Sequence, residues 1–206
     1  AGGQGTRLDF LRAKGIYPIG PISGVTLFQT HVERIRAMAE KYHTRIPFCI
    51  QTSPATHEET IAFFKENDNF GLADEDVLVF CQGAVASVRF EDCQILLSQK
   101  WEIAKSPDGH GGFLAAINEP QTDSPFPNVR QHGILTELQR RGIEELFYFQ
   151  IDNPVIDICN PEFIGYHLMA GSEYSSQVVR KTAPNDRVGN VVMVDGRLHV
   201  IEYSDI

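Results

Sequence analysis

Hydrophobic residues along the chain follow two spacings, one typical of helices and one typical of buried strands. Apolar side chains recur every three or four positions in residues 26–43 and 129–142, and Gly142 suits the end of the second stretch. A further helix is predicted from Pro54, because proline favours the first helical position and two glutamates follow in the first turn. The chain therefore carries at least three amphipathic helices.

Apolar runs predict the strands. Residues 47–53, 76–83 and 146–153 are runs of mostly apolar residues that end in polar ones, as expected of buried parallel strands. Alternation over residues 86–98 predicts a hairpin. Further strand-like runs occur at residues 176–182, 189–194 and 197–203.

Strands that alternate with helices indicate an α/β fold with a doubly wound, mostly parallel mixed sheet. In such sheets, ligands bind beyond the carboxyl ends of the strands. Three predicted strands end in the polar pairs Thr52-Ser53, Gln82-Gly83 and Asp152-Asn153. We therefore expect these pairs to lie along one rim of the sheet.

Composition narrows the class of protein. With 206 residues, 42% hydrophobic and 22% charged, the chain is typical of a soluble globular domain. Its net charge of −9 argues against a nucleic-acid partner, and no apolar run approaches the ~20 residues of a membrane span. The four cysteines lie far apart, which predicts reduced structural thiols and a cytoplasmic protein.

The first fifteen residues form a glycine-rich segment with candidate phosphate-binding groups. Three glycines in five positions let backbone N–H groups approach a ligand closely, and Thr6, Arg7 and Lys14 add a hydroxyl and two cations. An ordinary surface turn is the alternative interpretation. The segment matches neither Gly-x-x-x-x-Gly-Lys-Ser/Thr nor Gly-x-Gly-x-x-Gly, so neither standard phosphate fingerprint applies.

Three other positions suit nucleotide chemistry. The amide of Gln82 offers a donor and an acceptor, as does the edge of uracil, although a polar residue can simply end a strand. His110 lies between glycines in Pro107–Gly112, where it can approach a phosphate or sugar unless the segment is only a turn. Asp152 could complete an oxygen cage for Mg²⁺ with two phosphates, or merely cap a turn.

The chain resembles the UTP-dependent sugar-1-phosphate uridylyltransferases, the UDP-sugar pyrophosphorylase family. Its opening is similar to that family's Gly-Gly-x-Gly-Thr-Arg-Leu loop, which runs on to Pro-Lys-Gly. Pro107–Gly112 combines the family's Pro-Asp-Gly-Asn-Gly-Gly and Gly-His-Gly-Asp patterns. This mixture does not decide which sugar phosphate is the substrate. Further matches follow in family order: Asp152-Asn153, Asn160–Gly165, Val178–Lys181, Val188-Gly189 and Glu202–Ser204.

The resemblance implies a Rossmann-like nucleotidyltransferase (GT-A-like) core that forms a UDP-sugar and pyrophosphate from UTP and a hexose 1-phosphate. N-acetylglucosamine 1-phosphate is the favoured sugar, and glucose 1-phosphate or a broad sugar range is the alternative. The implied catalytic residues are Arg7, Lys14, His110 and Asp152, with Mg²⁺ held by Asp152. The implied nucleotide-binding residues are Gly2, Gly3, Gln4, Gly5, Thr6, Thr52, Gln82, Gly83 and Gly109. The implied sugar-binding residues are Asn153, Gly189 and Glu202.

Four departures from the family pattern motivate a rival hypothesis, a nucleotide-sugar-binding relative with impaired catalysis. They are Ala13 in place of proline, Val25 in place of a frequent lysine, Gln51 in place of methionine and Asn160 in place of aspartate. A dinucleotide-dependent oxidoreductase would suit the sheet but lacks its fingerprint. The family's loop normally follows a buried strand, so residues 1–206 are expected to be an internal fragment, truncated at both ends, of one catalytic domain.

Overall fold

This computed structural model describes residues 2–3, 9–183, 186 and 188–201, apart from the side chain of His110. The chain divides into two compact units, residues 1–160 and 161–206.

The first unit is built around a parallel pair of strands, β1 (Phe48–Thr52) and β2 (Val77–Cys81), registered so that Thr52 lies opposite Cys81. The α-helices among its described residues are α1 (Leu27–Lys41), α2 (His57–Glu66), α3 (Phe113–Asn118) and α4 (Pro127–Arg140). Short strands β3 (Ala84–Ala86), β4 (Leu97–Gln99), β5 (Glu102–Ile103) and β6 (Lys105–Pro107) form two antiparallel pairs, β3 with β6 and β4 with β5.

Helices cover both faces of the β1–β2 pair, because alternate residues of each strand face opposite sides. On one face, Phe48 and Ile50 pack with Phe28 of α1 and Phe64 of α2. On the other face, the apolar side chains of β2 pack with those of α3 and α4, in a cluster that contains Leu78, Phe80, Ile117, Ile134 and Leu138. The α/β class and the two-sided covering of this pair are thus as predicted.

The helix ends follow local rules. Thr26 caps α1, since its Oγ1 accepts a hydrogen bond from the backbone N–H of Gln29 at 3.3 Å. Pro127 is the first residue of α4, and Gly142 follows its end with a φ of +74°. Within α4, Gly133 adopts φ +80° and ψ 171°, which kinks the helix beside the backbone of Asn118. Helix α2 begins at His57, with Thr56 at the N-cap position.

Two predicted strands do not form among the described residues. Residues 146–151 form no strand ladder with the described residues. Phe147, Phe149 and Ile151 instead attach this segment to the core through side-chain packing, while the residues between them are exposed. Residues 176–182 likewise form no strand with the described part of the chain. The described residues add no further strand to the parallel pair, so they do not build the larger, mostly parallel sheet.

The second unit contains helix α5 (Pro161–Ala170) and the antiparallel hairpin of β7 (Asn190–Val194) and β8 (Arg197–Ile201). Asp195 and Gly196, both at positive φ, form the two-residue turn that the twist of a hairpin favours. The last two predicted strands are therefore confirmed over the described residues.

The four cysteines are free thiols, as predicted, and burial raises the pKa of Cys49 to about 12. Within the described residues, no helix is both long and apolar enough to cross a membrane. The cytoplasmic location stays a prediction.

Glu137 on α4 is expected to make the fold sensitive to acid. Its side chain is 4% exposed, and hydrogen bonds from Arg140 first and then from Arg141 and Asn128 lower its pKa from 4.5 to about 2. Because the folded pKa is depressed, the ionised carboxylate stabilises the fold fully above about pH 4.5, and this contribution is lost as the pH falls toward 2. Between pH 5 and 2.5, the melting temperature of Glu137→Gln should therefore fall less steeply than that of the wild type. The exposed control Glu66→Gln should keep the wild-type slope, and parallel slopes for all three proteins would contradict this role.

Candidate active site

The carboxyl end of β1 contacts the glycine-rich segment directly. The hydroxyl of Ser53, which is 2% exposed, donates a hydrogen bond to the carbonyl of Gly2 at 2.8 Å. Ser53 also contacts Thr56, through its backbone N–H and its hydroxyl, both 3.1 Å from Thr56 Oγ1. The end of the strand and the start of α2 together fix the backbone at Gly2.

Gln82 lies at the end of β2 with its amide against the same segment. Gln51 Nε2 donates to Gln82 Oε1 at 3.1 Å, and the backbone N–H of Gln82 donates to the carbonyl of Thr52 at 2.8 Å. A Cβ added at Gly2 would lie 3.1 Å from Gln82 Oε1, so a side chain there would crowd the amide. Gln82 and the start of the glycine-rich segment therefore lie together.

Lys14 and Asp152 form an ion pair beside Gly3. Lys14 Nζ lies 2.7 Å from Asp152 Oδ2, and the backbone N–H of Lys14 donates to the carbonyl of Gly3 at 3.2 Å. Partial burial alone would raise the pKa of Asp152, but the hydrogen bond and charge of Lys14 outweigh it and hold that pKa below its ordinary value. Asp152 is therefore an ionised carboxylate at neutral pH.

Residues 12 and 13 tie the start of the site to α2. Glu59 accepts hydrogen bonds from Arg12 Nε at 2.6 Å and from the backbone N–H of Ala13 at 2.9 Å. Ala13 is fully buried, with a φ of −55°. The backbone N–H groups of Ala13 and Lys14 are thus both hydrogen-bonded, to Glu59 and to Gly3, which fixes the backbone from which Lys14 projects.

The second glycine-rich loop is built on Asp108. Its backbone N–H donates to the carbonyl of Gly83 at 3.2 Å, and a Cβ added at Gly83 would lie 2.7 Å from Asp108 Oδ2. The same carboxylate fills the space beside Gly112 that a Cβ would occupy. Gly109 has a φ of +76° and open space around it. A side chain at 83 or 112 would displace the carboxylate of Asp108, and the positive φ at 109 favours glycine.

The side chain of Thr52 is hydrogen-bonded within the fold, and its role in nucleotide binding stays a prediction. Its side chain is fully buried, and Oγ1 lies 2.9 Å from the carbonyl oxygen of Phe80 and 2.6 Å from His57 Nδ1. Nε2 of the same imidazole lies 2.9 Å from Asp123 Oδ2. With Glu58, His57 and Asp123 form the one group of three potential metal ligands in the part of the chain that the structure describes. Both nitrogens of His57 already have protein partners.

The other predicted residues are distributed as follows. Asn153 is exposed, and its backbone N–H closes a turn onto the carbonyl of Gln150. Gly189 belongs to the second unit. Gln4, Gly5, Thr6, Arg7, Glu202 and the side chain of His110 lie outside the described residues.

A known protein family matches the chain over its whole length. The family model described as UTP–glucose-1-phosphate uridylyltransferase matches residues 1–206. The chain belongs to this family.

Individual members of the family are longer than this chain. It is 36% identical over 212 residues to a human UDP-N-acetylhexosamine pyrophosphorylase-like protein 1, covering 100% of the chain and 39% of that protein. It is 34% identical over 209 residues to a UDP-N-acetylglucosamine pyrophosphorylase of Saccharomyces cerevisiae, covering 100% and 41%. The chain thus spans about two fifths of the length of these curated relatives.

A solved structure confirms the α/β nucleotidyltransferase fold. The uridine diphosphate N-acetylglucosamine pyrophosphorylase from Trypanosoma brucei superimposes with a TM-score of 0.89 at 31% identity, over 100% of this chain and 41% of that one.

One departure from the family pattern has a structural explanation. Where the family loop has proline, Ala13 keeps a φ within the range that a proline ring imposes. Its N–H, which proline would lack, is bonded to Glu59. The conformation that carries Lys14 is therefore preserved without proline.

The sequence indicated less about three supporting residues. Ser53 was expected at the rim but without a stated partner, and it, rather than Thr52, contacts the glycine-rich segment. Gln51 was noted only as a departure from the family pattern. Glu59 was assigned only to a helix start, because its contacts lie 46 and 47 positions away in sequence.

Proposed function

We propose that the protein transfers a uridylyl group from UTP to a hexose 1-phosphate, forming a UDP-sugar and pyrophosphate. The observation that carries this proposal is the convergence of an amide, a cation and a carboxylate on one glycine-rich backbone. Gln82 lies against Gly2, and the Lys14–Asp152 pair lies beside Gly3. The amide suits a base edge, whereas the charged pair suits phosphates.

In the proposed reaction, a phosphate oxygen of the sugar phosphate attacks the α-phosphorus of UTP, and the bond from that phosphorus to the bridging oxygen of pyrophosphate breaks. No protein nucleophile is needed, so positioning and neutralisation of charge supply the catalysis. Lys14 would contact the departing pyrophosphate together with Arg7, which we retain from the sequence prediction. Gln82 would hold the base, and His110 would lie near the α-phosphate or sugar.

Asp152 fits a magnesium ion whose remaining ligands come from the substrate. The carboxylate is ionised and its side chain is 41% exposed, but it belongs to no group of three metal-binding side chains among the described residues. A single protein carboxylate with phosphate oxygens and water is a common arrangement for Mg²⁺. When bound there, the ion would neutralise charge on the phosphates.

N-acetylglucosamine 1-phosphate is the sugar phosphate we favour. The names of the yeast and trypanosome relatives support this choice, whereas the description of the family model, with its glucose 1-phosphate, supports the alternative. Asn153, Gly189 and Glu202 are proposed to contact the sugar.

The decisive experiment measures pyrophosphate release by the full-length protein with UTP and each sugar phosphate. The proposal expects magnesium-dependent release, fastest with N-acetylglucosamine 1-phosphate. A tenfold preference for glucose 1-phosphate would reverse the choice of sugar. Binding of UDP-sugar without release or pyrophosphate exchange would favour a binding protein that lacks catalysis.

Gln82→Ala is expected to weaken UTP binding about tenfold, because each lost hydrogen bond is worth roughly 1 kcal/mol and tenfold corresponds to about 1.4 kcal/mol. The preference for UTP over CTP should also fall. Titration calorimetry with both nucleotides checks this expectation, with the exposed Gln99→Ala as the matched control. Unchanged affinity and preference in Gln82→Ala would show that the residue is only structural.

A further inference from the structure

We propose that His31 of α1 is a positioning residue for Asp152. It binds the backbone carbonyl that directly precedes Asp152 and thereby holds the carboxylate in place beside Lys14. This inference rests on the proposed function, in which Asp152 contributes to catalysis. It assigns a role to a fully buried histidine that lies outside the motifs of the site.

The segment that carries Asp152 is bound by two side chains of one helix. His31 Nε2 lies 2.9 Å from the carbonyl oxygen of Ile151, and Arg34 Nη1 donates to the carbonyl of Ile156 at 3.1 Å. The two residues are three positions apart on α1, so they project from the same side of the helix. They therefore bind the main chain on either side of the catalytic carboxylate.

These contacts matter because a strand ladder does not hold this part of the chain. Residues 146–151 form no ladder with the described residues. The backbone turns that follow join Asn153 to Gln150 at 3.1 Å and Ile156 to Asn153 at 3.5 Å. Such turns are local and do not connect the segment to the rest of the fold. The hydrogen bonds from α1 add a directional connection to the apolar packing of the segment.

The imidazole of His31 acts as a hydrogen-bond donor to this segment. Burial lowers the pKa of His31, and although the bond to Ile151 opposes this shift, the charge of Arg34 adds to it. The ring is therefore uncharged at neutral pH. Because a carbonyl oxygen only accepts hydrogen bonds, the single N–H of this neutral ring is at Nε2 and points to Ile151.

The other nitrogen of the ring indicates why a histidine is present. Nδ1 is buried and has no hydrogen-bond partner among the described residues. A buried polar atom without a partner destabilises a fold, and an apolar side chain would avoid that cost. The ring also packs against Phe149, with 4.9 Å between the centroids, but an apolar side chain could pack there as well. What histidine adds is the donor toward Ile151.

Two substitutions at position 31 differ in whether this donor is kept. His31→Leu removes it and should lower the rate of pyrophosphate release about tenfold, because even a small misplacement of a catalytic group can cost up to about a hundredfold. His31→Gln places an amide N–H near the position of Nε2 and should stay within about twofold of the wild-type rate. Rates are measured on the full-length protein with UTP and N-acetylglucosamine 1-phosphate, together with melting temperatures.

A second measurement needs neither metal nor substrate. Hydrogen exchange, followed by mass spectrometry on a peptide that covers residues 150–156, reports how firmly the segment is held. This peptide should exchange about fivefold faster in His31→Leu, the effect expected when one hydrogen bond of roughly 1 kcal/mol is lost. Peptides from β1 and β2 should keep their wild-type rates. Arg34→Met, which removes the contact with Ile156, should change exchange of residues 150–156 in the same direction.

The effect on rate should depend on Asp152. In an Asp152→Asn background, His31→Leu should slow single turnovers by less than about twofold, because a residue that acts through the carboxylate then has nothing to position. Val32→Ala is the matched control, since Val32 is fully buried on α1 in the same core and offers no hydrogen bond. It should lower the melting temperature and leave the rate and the exchange of residues 150–156 at wild-type values.

Each outcome decides a different claim. A loss of rate in His31→Leu that His31→Gln restores, with faster exchange of residues 150–156, would support the assignment. A wild-type rate in His31→Leu, beside a slow Asp152→Asn, would overturn this inference and leave the proposed function standing. Equal losses in His31→Leu and His31→Gln, or an undiminished effect of His31→Leu in the Asp152→Asn background, would do the same. Absence of pyrophosphate release by the wild type would overturn both.

Discussion

Lys14→Met is expected to reduce uridylyl transfer at least tenfold while the melting temperature changes little. The substitution keeps most of the side-chain stem and removes the ammonium group that pairs with Asp152 and, by our proposal, contacts the departing pyrophosphate. A charge-assisted contact of this kind is worth roughly 1.5–3 kcal/mol, and each 1.36 kcal/mol is a factor of ten in rate.

The small effect on stability follows from the exposure of the pair. The side chains of Lys14 and Asp152 are 26% and 41% exposed, and such partly solvated pairs contribute only about 0–1 kcal/mol to folding. Steady-state rates and thermal melting are measured together, with Lys65→Met at the exposed end of α2 as the matched control. Wild-type turnover in Lys14→Met would remove this residue from the catalytic machinery. A matching loss of rate and stability would indicate a structural role.

Gly133→Ala is expected to cost more than about 3 kcal/mol of unfolding free energy, the largest effect on stability that we predict. Its φ of +80° and ψ of 171° are almost restricted to glycine, and another residue there costs of order 1–3 kcal/mol. The new Cβ would also lie 2.5 Å from the carbonyl oxygen of Asn118 and 3.0 Å from that of Glu119. Because both neighbours are backbone atoms, relief requires a shift of the chain, and overpacking adds about 1–3 kcal/mol.

Gly142→Ala separates the cost of the backbone conformation from the cost of crowding. Gly142 also has positive φ, at +74°, but no atom lies within 4 Å of an added Cβ. Its substitution should therefore cost only the conformational penalty, about 1–2 kcal/mol. Urea unfolding of both variants measures the difference, and equal losses would show that the contacts with Asn118 and Glu119 are unimportant.

The sequence predicted the elements whose pattern is local. Helical spacing located α1 and α4, and the apolar runs at 48–52 and 77–81 located β1 and β2. The run at 146–153 also predicts a strand, since it is mostly apolar and ends in polar residues. A strand requires backbone partners as well as apolar side chains, and the pattern of a single segment cannot reveal partners.

The same limit applied to the site. The polar residues at the strand ends were predicted to meet, and Ser53, Gln82 and Asp152 do contact the glycine-rich segment or the lysine that follows it. Which of Thr52 and Ser53 bonds to Gly2 could not be predicted. Both side chains are buried, and successive strand residues point to opposite sides, so a difference of one position changes the partners of a side chain.

The backbone at Ala13 depends on a residue that is distant in sequence. A ring constraint that proline would supply within one residue is replaced by a hydrogen bond to a carboxylate 46 positions away. Residues 13 and 59 are therefore expected to be energetically coupled, so the effects of substitutions at the two positions should not add. Proline at 13 would have no N–H to donate, so this contact would then place no demand on residue 59. In this chain, the backbone that precedes Lys14 is held by Glu59, a residue that lies outside the sequence motif around that lysine.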